Sequence, residues 1–164
     1  MMNKRKIIRL QHYDYSQNGL YFITICINHR LNLLGRIQNN TMQLNNAGKM
    51  IDFWYGELEK HFKHIRCLDY IIMPNHIHFI LWIDNNTEQN QESLFTIIQW
   101  FKTMTTNDYI RNVKSNNWQP FEKKLWQRSY YEHIIRNEYA YKHIQQYIEN
   151  NPYTWENDEL FMND

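Results

Sequence analysis

Two histidines two residues apart, His76 and His78, and a tyrosine near the end of the chain, Tyr147, are the side chains whose types and spacing could do chemistry together. The histidines lie in IIMPNHIHFILWI, residues 71–83. On an extended strand, residues i and i+2 project to one face, about 6–7 Å apart along the chain. His76 and His78 would then share a face with Ile80 and Trp82, while Ile77, Phe79 and Leu81 bury the other. Two imidazoles on one face can converge on a metal ion. The pattern alone equally fits a pair of half-exposed histidines on a solvated sheet. A pair is also incomplete, because a metal site needs a third protein ligand or substrate oxygens.

The last helix supplies candidates. His143, Tyr147 and Asn151 stand at i, i+4 and i+8 and so line one helix face. Ala140, Ile144 and Ile148 form a neighbouring apolar stripe that would dock the helix. Taken alone, Tyr147 is one of 12 tyrosines, a residue common wherever a helix meets a sheet. Beside a histidine pair it gains a chemical logic. A phenol with a pKa of about 10 is a poor nucleophile unless nearby charge favours the phenolate. A divalent metal on His76 and His78 could polarise a phosphate and offset the charge that develops as Tyr147 attacks phosphorus.

The remaining elements must hold those groups. Residues 20–28, LYFITICIN, read as a buried β-strand. Residues 33–37 and 41–44 read as a short hairpin around Gln38, Asn39 and Asn40. An amphipathic helix follows, with Ala47, Ile51, Trp54, Leu58 and Phe62 inward and Asn45 or Asn46 as its cap. Residues 66–83 give two strands broken at Pro74-Asn75, since proline lacks a ladder donor and asparagine accepts turn geometry. The polar stretch 84–92 is a loop, and Ser93 caps a second helix whose inner face is Leu94, Ile97, Phe101 and Met104. After a loop at 115–117, residues 130–135 read as a strand. A third helix runs from about Asn137 to Asn151, where Pro152 stops it. With the hairpin set aside, the order is strand, helix, strand, strand, helix, strand, helix. That is an α+β chain with a ferredoxin-like, RRM-like antiparallel sheet (βαββαβ), helices on one face and a C-terminal catalytic helix. Such a fold hosts many functions and names none of them.

Bulk properties set the limits. A length of 164 residues suits one domain over 1–164, with 1–18 as an N-terminal extension and 153–164 as a C-terminal tail. Only 4 Gly and 3 Pro argue against a long flexible linker. A net charge of +1 gives no global nucleic-acid signature, so any basic footprint is local: Lys4, Arg5, Lys6 and Arg9, or Lys123, Lys124 and Arg128. Cys26 and Cys67 read as buried free thiols of a reducing cytoplasm rather than a disulfide. No apolar run reaches the ~18 residues of a membrane span, and no signal peptide is evident, so the expected location is the cytoplasm.

Four stretches together resemble the REP-associated tyrosine transposases, within the single-tyrosine HUH transposases and nucleases. They are YFITICINHR at 21–30, IIMPNHIHFILW at 71–82, LWQRSYYEHIIRN at 125–137 and QYIENNP at 146–152, in the family's order. The resemblance implies that His76 and His78 are the HUH histidines and that Tyr147, in its Tyr-Ile-x-x-Asn-Pro setting, is the nucleophile. In relatives a polar residue one turn after that tyrosine is the third metal ligand, which points to Asn151; His143, one turn before, competes on geometry. The implied enzyme uses Mg²⁺ or Mn²⁺ and acts as a monomer or homodimer. It cuts and rejoins single-stranded DNA beside a hairpin in a palindromic repeat, through a covalent 5′-phosphotyrosine. Trp118, Trp126, Tyr130 and Tyr131 are candidates to stack unpaired bases, with core packing expected for at least two. Lys123, Lys124, Arg128 and Arg136 are candidates to meet phosphates. The alternative is a non-catalytic nucleic-acid-binding module of ferredoxin-like fold. A metallohydrolase using metal-bound water, with no need of Tyr147, is a further rival.

Overall fold

A computed structural model describes residues 18–84 and 92–162. The basic cluster at Lys4, Arg5, Lys6 and Arg9 and most of the 84–92 loop lie outside the described residues. The central sheet has four antiparallel strands in the order β4-β5-β1-β6: β1 Gly19–Cys26, β4 Ile65–Met73, β5 His76–Ile83 and β6 Tyr131–Ile135. With the hairpin set aside this is second-third-first-fourth, the ferredoxin-like order expected from the sequence. The hairpin forms a separate two-stranded sheet, β2 Gly35–Gln38 and β3 Thr41–Leu44. Asn39 and Asn40 carry its two-residue turn at φ 51° and 56°. Both values are left-handed, the geometry whose twist matches a hairpin and which asparagine accepts at little cost.

Helix α1, Asn46–His61, is capped by Asn45, whose side chain accepts from the Gly48 amide at 2.9 Å. Gly48 is required there: a Cβ would stand 2.2 Å from the Leu34 carbonyl oxygen. Helix α2, Leu94–Asn116, is capped by Ser93. Its buried stripe is Leu94, Ile97, Ile98, Phe101, Thr105 and Tyr109, so Thr105 rather than the half-buried Met104 continues the inner face. Helices α1 and α2 cover one side of the sheet. There Tyr21, Ile23, Ile25, Ile77, Phe79 and Leu81 form a continuous apolar core with Ile51, Leu58 and Phe101.

Helix α3, Glu138–Asn150, covers the opposite side and is capped by Asn137. Its apolar cluster is small: Phe22, Ile80, Ile135 and Ile148 are buried, with Ala140 and Ile144 only partly so. A register shift in β4 between Cys67 and Tyr70 strengthens the docking. Asp69 lies in this bulge and accepts from the Tyr141 hydroxyl at 2.5 Å and the Gln145 amide at 3.0 Å. Bulges of this kind commonly re-aim a side chain beside a functional site.

The stretch read as a tail from 153 does not trail away. Residues Asn151–Asn157 form a 3-10 turn with Asn151, Pro152 and Trp155 buried. The chain then folds back so that the Asn75 amide donates to the Leu160 carbonyl at 2.8 Å. Cys26 and Cys67 are free thiols, half-buried rather than buried. None of the helices among the described residues is long and apolar enough to cross a membrane.

Candidate active site

Alternation along the strands builds the site. In the β1–β5 register, Thr24 opposes His78 and Cys26 opposes His76, all on the α3 side of the sheet. His76 is fully buried and His78 is 2% exposed. Half-exposed histidines on a solvated face, the bland alternative, are therefore not what the chain has. The two rings lie 4.4 Å apart, centroid to centroid.

Neighbouring groups orient each ring. His76 Nδ1 lies 2.8 Å from Asn75 Oδ1. The Asn75 amide nitrogen donates to the carbonyls of Arg30 and Leu160, so its oxygen can only accept. His76 therefore carries its proton on Nδ1 and presents a lone pair on Nε2. Among the described residues that buried Nε2 has no hydrogen-bond partner of ordinary geometry. His78 Nδ1 is 2.7 Å from Thr24 Oγ1, and His78 Nε2 is 3.4 Å from the Tyr147 hydroxyl. Burial pushes the His76 pKa down to about 3, with Asn151 opposing the shift and Arg30 adding to it. Burial, then the neighbouring His76, holds His78 well below the usual histidine value. Both rings are thus neutral near pH 7, the form of imidazole that ligates metals.

Helix α3 brings Tyr147 onto this pair. Its ring meets Phe22 edge-on at 6.0 Å and stands 5.2 Å from the His78 ring. Burial raises the Tyr147 phenol pKa, and the Asp158 carboxylate raises it further, while Asn151 acts the other way. As it stands, Tyr147 is a protonated phenol that needs added positive charge to become an attacking oxygen.

Asn151 is fully buried and acts on both groups, yet among the described residues neither its amide oxygen nor its amide nitrogen completes a hydrogen bond of ordinary geometry. Asp158 adds a carboxylate: ligand atoms of His76, His78 and Asp158 all lie within 4.8 Å of one another. A divalent metal fits this donor set. The orphaned His76 Nε2 and Asn151 oxygen are polar atoms that burial would otherwise penalise. Two neutral imidazoles and a carboxylate are groups that can share one metal ion.

The other candidates divide. His143 is exposed on α3 and is not among the grouped ligands, because α3 docks through Ile148 and turns that side of its first turns to solvent. Trp126 belongs to the core: it is 4% exposed, its indole N–H donates to Thr105 Oγ1 at 2.8 Å, and it leans on Phe101. Trp118 is half-buried and packs edge-on against Tyr109. Tyr130 is buried over Lys102, whereas Tyr131 is 49% exposed on the α3 side, opposite Thr24. Lys123, Lys124, Arg128 and Arg136 are exposed. Asn75 and Asp158 were not anticipated. In the sequence Asn75 reads only as a turn residue, and Asp158 lies beyond the helix stop at Pro152, where helical spacing from Tyr147 no longer applies.

A family model described as IS200-like transposase matches residues 45–151. The chain is 36% identical over 171 residues to an uncharacterised protein of Haemophilus influenzae, covering 98% of this chain and 95% of that one. It is 25% identical over 142 residues to a protein of the same organism that carries the name REP-associated tyrosine transposase, covering 85% and 73%. The fold is shared with a REP-associated tyrosine transposase solved with a REP hairpin, at TM-score 0.61 and 20% identity over 89% of this chain and 73% of that one. A Deinococcus radiodurans transposase structure matches at TM-score 0.51 and 18% identity over 87% and 95%. The chain belongs to the IS200-like transposase family, and this membership supports a transposase-like DNA-processing role.

Proposed function

We propose that this chain, acting as one domain, is a metal-dependent single-stranded DNA endonuclease and strand transferase with Tyr147 as nucleophile. The observation that carries the reading is the Tyr147 hydroxyl 3.4 Å from His78 Nε2, beside the orphaned His76 Nε2 and Asn151 amide. His76, His78 and oxygens of Asn151 and Asp158 would hold Mg²⁺ or Mn²⁺, which when bound supplies positive charge to polarise the scissile phosphate. Tyr147 Oη bonds to phosphorus as its proton leaves. The P–O3′ bond breaks, and the departing oxygen takes up a proton as a free 3′-OH. The strand's 5′ end stays on the protein as a phosphotyrosine. Attack by a 3′-OH runs the same steps backward and joins a strand, because the phosphodiester energy is conserved. Helix α3 orients the phenol, and the rings of Trp155 and Phe22 pack against His76 and His78 and hold them in place.

A hairpin-forming repeat is the substrate class that the REP-associated relative suggests. The protein is incubated with end-labelled single-stranded hairpin DNA from the flanks of its own gene, with Mn²⁺ or with EDTA. The reading requires a denaturation-resistant adduct with metal and none with EDTA. Shift of the DNA on a native gel without any adduct would favour the binding-module alternative, and cleavage retained by Tyr147→Phe would favour the metallohydrolase.

A further inference from the structure

A cavity of about 690 Å³ opens directly beside the Tyr147 hydroxyl and His78, and the strand-transfer reading gives its contents no assignment. Its volume lies inside the roughly 300–1,000 Å³ range of clefts that hold small flat ligands. Phe22 and Tyr130 line it as buried rings, and Tyr131 as a half-exposed one. Gln127, Ser129 and Asn157 add amide and hydroxyl groups to its wall. Among the described residues no lysine or arginine lines it, whereas Asp158 and Glu159 do.

That charge balance decides what enters. The scissile phosphate belongs at the Tyr147 and His78 end, where a metal held partly by Asp158 would offset its charge. Away from that end the described wall offers the Glu159 carboxylate and no lysine or arginine, so a second bare phosphate is disfavoured there. A nucleobase is neutral and flat, and it carries donors and acceptors on its edge. Aromatic rings give it a stacking face regardless of sequence. The phosphates then run outside, where the neighbouring Arg128 is exposed.

Resting on the strand-transfer reading, we infer that this cavity is a subsite for the unstacked base next to the scissile phosphate, with Tyr131 as its stacking platform. Tyr131 stands opposite Thr24 on β6, on the same face as His78, and the rings of Tyr131 and Tyr147 both meet Phe22 edge-on, at 6.2 and 6.0 Å, so a base stacked on Tyr131 is a near neighbour of a phosphate at Tyr147. Gln127, Ser129 and Asn157 face the edge of that base and set its preference.

The test uses the full chain and a single-stranded DNA trinucleotide with 2-aminopurine at its centre, in Mg²⁺, with fluorescence quenching as the readout. Wild type should quench saturably, and Tyr131→Phe should match it because the ring remains. Tyr131→Ala, and Ser129→Phe, which fills the cavity from an exposed loop position, should weaken binding roughly 5- to 150-fold, the range of one lost base–aromatic stack. The same trinucleotide with an abasic centre should compete poorly. Equal competition by the abasic probe, unchanged quenching in both folded variants, or no saturable quenching by wild type would each overturn the subsite. The adduct assay separates the two readings. Saturable quenching without any adduct keeps the base subsite and removes strand transfer. A normal adduct in Tyr131→Ala and Ser129→Phe, with binding unaltered, keeps strand transfer and removes the subsite.

Discussion

On the side of the sheet covered by α1 and α2, Tyr21, Ile23, Ile25, Phe79 and Leu81 are fully buried against Ile51, Leu58 and Phe101. On the α3 side the buried apolar cluster among the described residues is Phe22, Ile80, Ile135 and Ile148, and the space around it goes to Thr24, His76, His78 and Asn151. The same two strands, β1 and β5, serve both sides through their alternation. One face carries the stability of the domain, and the other can therefore tolerate buried polar atoms without hydrogen-bond partners. Such atoms cost free energy, and they persist where the fold has stability in hand.

The largest effect expected from perturbing this division is on the polar face. His76→Ala with His78→Ala should reduce cleavage to background and abolish the heat of Mn²⁺ binding in a calorimeter. A double variant that cleaves normally, or binds Mn²⁺ normally, would break the assignment. On the apolar face, Phe101→Ala should cost about 3–5 kcal/mol in chemical denaturation, since it empties a fully buried site. The histidine double variant should cost less than that. Should it cost more, the polar face rather than the apolar one would hold the fold together.

Asp69 sharpens the contrast at intermediate size. Asp69→Ala removes the carboxylate that ties Tyr141 and Gln145 of α3 to the β4 bulge. A loss of about 1–3 kcal/mol is expected. It should show as faster amide hydrogen exchange in α3 with α1 and α2 unchanged. Uniform acceleration across all three helices would mean that the two faces unfold as one unit.

The histidines also set a pH dependence of the metal-free protein. Their folded pKa values lie below the unfolded value of 6.5, His76 at about 3. The unfolded chain therefore takes up protons that the folded chain refuses. Stability should be complete above pH 6.5 and fall as pH drops from 6.5 toward 3. The denaturation midpoint of His76→Gln with His78→Gln should fall less over that window, and an equal fall would remove the histidines as the cause. The smallest effect concerns Cys67, whose thiol is pushed up to about 12 by burial and then by Glu59. Alkylation at pH 8 should run below about a tenth of the rate for a free thiol.

The two faces also differed in how far they could be read from sequence. Helical spacing in α1 and α2 and the alternation of β1 and β5 are repeated hydrophobic signals, and elements, fold class and core all follow from them. The cap at Asn45 or Asn46, the Ser93 cap, the helix start near Asn137 and the turn at Asn39-Asn40 were legible for the same reason, since each is a local rule. On the α3 side, His76, His78 and Tyr147 were legible because a two-residue and a four-residue spacing each define a face. Asp158 was not, because a 3-10 turn and a chain reversal separate it from Tyr147 and follow no period. The second role of Asn75 was hidden as well: its contacts are to Arg30 and Leu160, which only the folded chain brings near. Trp126 misled because an aromatic beside basic residues looks the same whether it stacks on a base or on Phe101.

Attack of Tyr147 on DNA is tested most directly by mass spectrometry of the protein after incubation with single-stranded hairpin DNA and Mn²⁺. The expected result is a nucleotide attached to the peptide containing Tyr147, a released fragment ending in 3′-OH, and no attachment in folded Tyr147→Phe. Attachment at Tyr130, Tyr131 or Tyr139, or an adduct that survives Tyr147→Phe, would contradict it.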